Sequence, residues 1–218
     1  MLDSIKDILF AVWEQDLDIL LSPESIVLIY ILSAVIIGLE GAFLPAVALP
    51  NDSVVILIGT LTALGGLNVY IALPLLIVSA IASSWLAFIQ GNLLSTLPKV
   101  QYWLEKVPEE KMKVVDYLLF KNGIFSLFIA RFIPVIRILV PMSMGGRKVS
   151  FFYFNIYSLI SAIMWASTLF SIGYVLPLFP ENVNKTVTTS LLAISVLTFL
   201  TVILSALIWK VKRWLYSL

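Results

Sequence analysis

The sequence contains neither cysteine nor histidine. Without cysteine there is no disulfide framework, zinc–thiolate site, iron–sulfur cluster or thiol nucleophile. Without histidine there is no imidazole metal ligand, no haem ligation through histidine, and no histidine-based triad or proton relay. Charge is scarce as well. Only 12% of the 218 residues are Asp, Glu, Lys or Arg, against about 25% in an ordinary soluble domain. The net charge of +1 excludes the basic footprint of a nucleic-acid binder. The chemistry left to this chain is that of carboxylates, arginines, hydroxyls and backbone.

What is abundant is apolar sequence, at 61% of the residues. No charged residue occurs between Ser53 and Pro98, between Val149 and Pro180, or between Thr186 and Trp209. Each stretch exceeds the roughly 20 residues needed to cross a hydrocarbon core, so the pattern predicts an all-α polytopic membrane protein. Asp3, Asp7, Glu14, Asp16 and Asp18 interrupt any apolar core of a cleavable signal, and none is expected. Residues 1–22 instead read as an amphipathic interfacial helix. A membrane core is expected over 23–180, and a terminal span with a basic tail over 181–218.

Within the core, Ser22-Pro23-Glu24 is a helix start, with serine as N-cap and proline at the first helical position. The first span is predicted over 23–39, ending at Glu40. Residues 41–66 are apolar but hold Pro45, Pro50, Asn51 and Asp52 in their first half, and close on Gly65-Gly66. Interior prolines break helices, and irregular backbone at membrane depth survives only where it is buried or lines a wet cavity. A re-entrant hairpin follows. Residues 69–97 form a full span with a small-residue stripe at Ser79, Ser83, Ala87 and Gly91, which reads as a packing face.

Residues 99–121 carry five lysines and four acids and read as an amphipathic surface segment. The earlier anomaly then recurs over 124–146, with Pro134 and Pro141 as breakers, a Gly145-Gly146 close, and Arg131 and Arg137 inside. A long span over 149–179 follows, with its own stripe at Ser158, Ala162 and Ala166. Of the 14 Lys and Arg, 11 fall on one side if both hairpins re-enter, and only Lys185 falls on the other. The positive-inside rule then makes both termini and residues 99–121 cytoplasmic. The first hairpin enters from outside and the second from the cytoplasm, giving an inverted repeat, a transporter architecture with its site at the repeat interface.

Four ionisable residues fall at membrane depth: Glu40 and Asp52 on the first hairpin, Arg131 and Arg137 on the second. Such residues are costly in the bilayer and mark pathways when they are kept. Their signs are complementary if the hairpin tips meet. They could serve only as buried ion pairs holding the hairpins together. The functional alternative is that the guanidiniums bind phosphate, while a desolvated carboxylate beside them carries a proton. Gln90 and Asn155 read as interhelical hydrogen-bonding groups. Trp13, Trp103, Trp209 and Trp214 read as interface anchors.

The run from Arg131 to Arg137, Arg-Phe-Ile-Pro-Val-Ile-Arg, followed by Pro141 and Gly145-Gly146, resembles the signature of the DedA family, also known as the SNARE-associated Golgi or VTT domain. Phe151–Phe154, Asn155 and Trp165 continue the likeness, and Glu40, Phe43-Leu44-Pro45 and Leu49-Pro50-Asn51-Asp52-Ser53 match the first hairpin. The pattern is closest to the YqjA/YghB-like proteobacterial inner-membrane branch. Asn51 stands where the family usually has glycine, and Gln90-Gly91-Asn92 replaces a Gly-Asp common in other branches.

The resemblance implies inverted re-entrant hairpins, a bacterial inner-membrane location and movement of lipids such as undecaprenyl phosphate or phospholipids. It also implies dependence on the proton motive force and a part in envelope homeostasis. It assigns the functional acids to Glu40 and Asp52 and the functional bases to Arg131 and Arg137. The expectation is therefore a lipid-phosphate translocase whose partners are anionic lipid headgroups and protons, with self-association left open. A proton-coupled small-cation antiporter for pH and osmotic balance is the alternative, and a non-transporting membrane scaffold is a third. With no nucleophile–base pair and no metal-ligand set, neither an enzyme nor a cofactor is expected.

Overall fold

A computed structural model describes residues 22–42, 51–97 and 131–179. The N-terminal amphipathic helix up to Leu21, Pro45 and Pro50, the polar segment 99–121 with Trp103, and the terminal span with its basic tail lie outside the described residues. So do Trp13, Trp209 and Trp214.

The described residues are helical throughout, apart from the turns joining the helices. Helix α1 spans Pro23–Ala42, α2 Asn51–Ala63, α3 Val69–Leu94, α4 Pro134–Gly146 and α5 Phe151–Val175, the last extended by a 3-10 turn at Leu176–Leu178. Three of them, α1, α3 and α5 with its extension, are long and apolar enough to cross a membrane. The two 13-residue helices, α2 and α4, reach only about 20 Å at 1.5 Å per residue, short of a bilayer core.

Helix α1 starts as its sequence predicts, with the Ser25 amide donating to Ser22 Oγ at 3.4 Å. It does not end at Glu40. It runs on to Ala42, and Gln90 Nε2 from α3 donates to the Ala42 carbonyl at 3.1 Å, satisfying one of the end groups. Helix α2 closes on Gly65 at φ 82°. The Gly66 amide reaches the Leu61 carbonyl at 3.0 Å and the Gly65 amide reaches Thr62 at 3.1 Å, a left-handed cap that glycine enters without Cβ strain.

The second glycine pair does not play that part. Gly145 and Gly146 are the last two residues of α4, and the left-handed position falls on Lys148 at φ 54°. The Val149 amide then reaches the Met144 carbonyl at 3.1 Å and the Lys148 amide reaches Gly145 at 3.0 Å. Pro134 does mark a break, since Ile133 is extended and Pro134 opens α4. Pro141 is not a breaker but lies inside α4, where it removes only the helical donor to the Arg137 carbonyl. Pro74 is likewise accommodated inside α3.

The helices cross-pack. Helix α2 packs chiefly on α5, and α4 chiefly on α3, while α1 packs along α3. The α2–α5 and α4–α3 crossings each take one glycine from each helix. A Cβ on Gly59 would strike the Phe170 carbonyl and one on Gly173 the Ile56 carbonyl; one on Gly91 would strike Met142 and one on Gly145 would strike Phe88. Thr60 Oγ1 also donates to the Gly173 carbonyl at 3.0 Å. The two small-residue stripes are buried packing faces, as their spacing predicts. The core between these helices is built from Ile37, Val55, Ile58, Leu61, Leu76 and Trp165. Facing outward are apolar rows such as Val27, Ile31 and Val35 on α1 and Ile156, Leu159 and Ile163 on α5. Such rows would be a liability in water and suit a hydrocarbon surround.

Candidate functional site

Of the four ionisable residues, Glu40, Asp52 and Arg137 come together among the cross-packed helices, and Arg131 shares two cavity walls with Arg137 without touching either acid among the described residues. Glu40 comes from the last turn of α1, Asp52 from the first turn of α2 and Arg137 from the first turn of α4, while Arg131 lies just before the Phe132–Ile133 break that precedes α4.

The two arginines are held by different chemistry. Arg137 forms an ion pair with Glu40 through Nη2 and Oε1, and its Nη1 lies 3.5 Å from Asp52 Oδ1. Glu40 is completely buried, the Arg137 side chain is 8% exposed and Asp52 is 38% exposed. One carboxylate is thus locked away with its cation, and the other is open. Asp52 is also loosely held, since Trp165 Nε1 donates to its Oδ1 at 3.3 Å, beyond the usual hydrogen-bond range. Glu40 Oε2, Asn51 Oδ1 and Arg137 Nε are buried with no hydrogen-bond partner among the described residues.

Arg131 has no carboxylate partner among the described residues. Its Nε donates to Ser161 Oγ at 2.9 Å, and its Nη2 is shared among Ser84 Oγ at 3.1 Å, the Ser158 carbonyl at 3.2 Å and Ser158 Oγ at 3.4 Å. All three serines are buried. A cation in such a cradle is solvated by dipoles, but its charge is not cancelled.

Two small cavities flank this centre and share Ser84, Arg131 and Arg137 in their walls. The larger lies between α4 and α5 and offers about 20 Å³ to water centres, more than the roughly 10–15 Å³ that a single water requires. Arg131 and the serines form its polar end, and Val140, Met144 and Phe154 its apolar side. The smaller, about 10 Å³, reaches Asn51, Gly41 and Trp165.

Sequence reasoning missed the serine cradle. Ser158 reads in the sequence as part of a packing stripe, which it does join, and Ser84 and Ser161 carry no signal beyond being hydroxyls on long spans. Trp165 stood out only through the family likeness. Gln90 and Asn155 behave as predicted: Gln90 bonds α1, and Asn155 Oδ1 accepts from Trp85 Nε1 at 2.5 Å, tying α3 to α5. Pro141, Gly145 and Gly146 shape α4 rather than break it, and Gly145 sets its close approach to α3.

Residues 49–175 match the VTT domain. The chain is 33% identical over 175 residues to "Inner membrane protein YqjA" of Escherichia coli (strain K12), covering 80% of each protein. It is 30% identical to "Inner membrane protein YghB" of the same strain, over 81% of this chain and 80% of the relative. It is 25% identical to "Protein DedA", also from that strain, over 81% of this chain and 83% of the relative. No solved structure matches.

Proposed function

The chain belongs to the DedA family of VTT-domain membrane proteins, in its YqjA/YghB-like branch, and on that premise we propose that it translocates a lipid phosphate across the inner membrane, driven by protons. The observation that carries this reading is the contrast at the site centre between Arg137, paired with carboxylates, and Arg131, which has no carboxylate partner among the described residues. Arg131 offers a standing positive charge beside a cavity with an apolar wall, where a phosphate headgroup would sit while its tail stays in the bilayer. Arg137 is bound to Glu40 and Asp52. Protonation of a carboxylate cancels its attraction for Arg137 and frees that guanidinium to join the headgroup; loss of that proton restores the carboxylate, which reclaims Arg137 and expels the anion. Proton movement and headgroup binding would then be two outcomes of one competition for Arg137.

The cross-packing supports an inverted repeat of two re-entrant units. The second arm of each unit, α2 or α4, packs on the long span of the other unit, and both arms are too short to cross. In this reading the protein is a carrier rather than a catalyst, and the excess of lysine and arginine on one face puts both termini in the cytoplasm.

The test is lipid movement in reconstituted vesicles. Wild-type protein should accelerate transfer of a labelled lipid phosphate between leaflets under a proton gradient, and Arg131→Ala should abolish it in well-folded protein. Unchanged transfer in that variant would sink the proposal. The antiporter reading draws on Glu40 Oε2 and Asn51 Oδ1, which have no hydrogen-bond partner among the described residues, but a small cation there would face Arg137. Proton flux evoked by Na⁺ or K⁺ in the absence of lipid phosphate would favour it instead.

A further inference from the structure

Ser84, Ser158 and Ser161 all accept from Arg131, but their own protons are not equivalent. The Ser84 hydroxyl donates to the Ala80 carbonyl at 2.9 Å, and the Ser161 hydroxyl donates to the Ser158 carbonyl at 3.1 Å. Their protons are committed to their own helices, a common state for helical serines, so these two can hold a cation but have nothing left to offer an anion. Ser158 differs. Its Oγ accepts from Arg131 Nη2 at 3.4 Å, and its O–H donates to no acceptor among the described residues. It is 5% exposed, and it lines the larger cavity with Arg131.

We propose that Arg131 and Ser158 together form an oxyanion site for a phosphoryl group in the cavity between α4 and α5, with Ser158 the residue that donates alongside the guanidinium. This deepens the translocase reading and rests on it. The geometry also places the ligand's apolar part. Val140, Met144 and Phe154 line the same cavity, and α4 packs mainly on α3, making little direct backbone contact with α5. The cleft is therefore bridged by side chains, and it can widen from a space for water to a space for a headgroup through rotamer changes at Met144 and Phe154. Ser84 and Ser161 are positioning residues in this scheme, acting through Arg131.

The shared chemistry is a phosphoryl oxyanion, which either a lipid headgroup or free phosphate could supply. Full-length protein is reconstituted in vesicles carrying an NBD-labelled prenyl monophosphate, and binding of inorganic phosphate to the protein in detergent is measured by calorimetry in parallel. Ser158→Ala should raise the apparent KM for the lipid about tenfold, the weight of one hydrogen bond to a charged group, with kcat and thermal unfolding little changed. Ser158→Thr, which keeps the hydroxyl, should restore KM. A KM for Ser158→Ala equal to wild type, with Arg131→Ala inactive, overturns the assignment of Ser158 and leaves the translocase reading intact. If wild type moves no lipid phosphate but binds inorganic phosphate in a manner lost in Ser158→Ala, the oxyanion site stands and the translocase reading falls. Absence of both activities overturns the site.

Discussion

Arg131 and Arg137 are six positions apart and line the same two cavities, yet one is held by carboxylates and the other by hydroxyls. The Arg137 centre is an ion pair out of water. Its desolvation is offset by attraction to Glu40, and the pair is only as stable as both partners are charged. The Arg131 centre is a cation solvated by a rigid set of buried dipoles, which keep it in place without cancelling its field. The first arrangement can be opened by a proton and the second cannot. The proposed translocase cycle, which must both hold an anion and let it go, would use one of each.

The largest effect on stability should come from separating the pair. Glu40→Ala leaves the Arg137 guanidinium buried against an unfilled space, and breaking a buried pair from one side costs about 3–5 kcal/mol. Thermal unfolding in detergent, followed by tryptophan fluorescence, should show a large loss of stability. The double change Glu40→Leu with Arg137→Met should recover most of it by replacing ions with apolar volume, while lipid transfer stays absent. Equal stability of Glu40→Ala and wild type would mean that the ion pair does not organise the centre.

A smaller effect tests whether the helix crossing sets the pair. Gly91 meets the backbone of Met142 on α4, and that carbonyl cannot yield as a side chain would. Gly91→Ala should push α4 outward, cost about 1–3 kcal/mol as overpacking, and carry Arg137 away from Glu40. Gly38 on α1 is the matched control, with nothing within 4 Å of an added Cβ. Gly38→Ala should raise stability by about 0.5–1 kcal/mol through helix propensity alone. If both variants behave alike, the close approach is not what sets the position of α4.

These two glycines also show how far the sequence could be read. Charge gaps together with the Gly65-Gly66 and Pro180 punctuation located α3 within 69–97 and α5 within 149–179, because a span needs an unbroken run of about 20 apolar residues. The four site residues were legible because charge at membrane depth is costly enough to stand out. Which arginine met which acid was not legible. Depth and side give neither the rotation of α4 about its axis, which sends Arg137 to Glu40, nor the path of the Phe132–Ile133 break, which leaves Arg131 to the serines. The serine cradle was hidden because a hydroxyl that packs and a hydroxyl that holds a cation look the same in a small-residue stripe. The reading of Pro141 and Gly145-Gly146 as breakers erred for a related reason. Neighbouring helices absorb a missing hydrogen bond, and a glycine pair can serve close packing as well as a turn.

Trp165 offers a finer adjustment of the carboxylate side. Its indole N–H is long at 3.3 Å from Asp52 Oδ1, and Asp52 is the exposed member of the pair. Trp165→Phe keeps most of the buried ring volume and removes that donor. Stability should fall by about 1 kcal/mol, chiefly from the ring volume lost at a fully buried position rather than from the long hydrogen bond. Proton-driven transfer should decline more than transfer without a gradient, because Asp52 loses a group that orients it toward Arg137. If the two rates fell in the same proportion, Asp52 would be no more involved in coupling than the rest of the site.

The smallest expected change in stability comes from Arg131→Ala, and it separates the two centres best. Removing Arg137 would strand Glu40, which is completely buried, and should destabilise the protein as severely as Glu40→Ala. Removing Arg131 strands no charged group among the described residues. The Ser84 and Ser161 hydroxyls already donate to helix carbonyls, so no buried donor on either serine loses its partner, and an uncompensated buried charge is relieved at the same time. The loss of hydrogen bonds and packing opposes that relief, and the net change should stay within about 1 kcal/mol. On the translocase proposal, lipid transfer should nevertheless vanish, because the charge assigned to headgroup binding is gone. An unfolding temperature near that of wild type, combined with absent transfer, is the expected result for Arg131→Ala, whereas Arg137→Ala should lose both. If the two alanine variants lost stability equally, Arg131 would be a structural cation like Arg137, and the division of labour between the arginines would not hold.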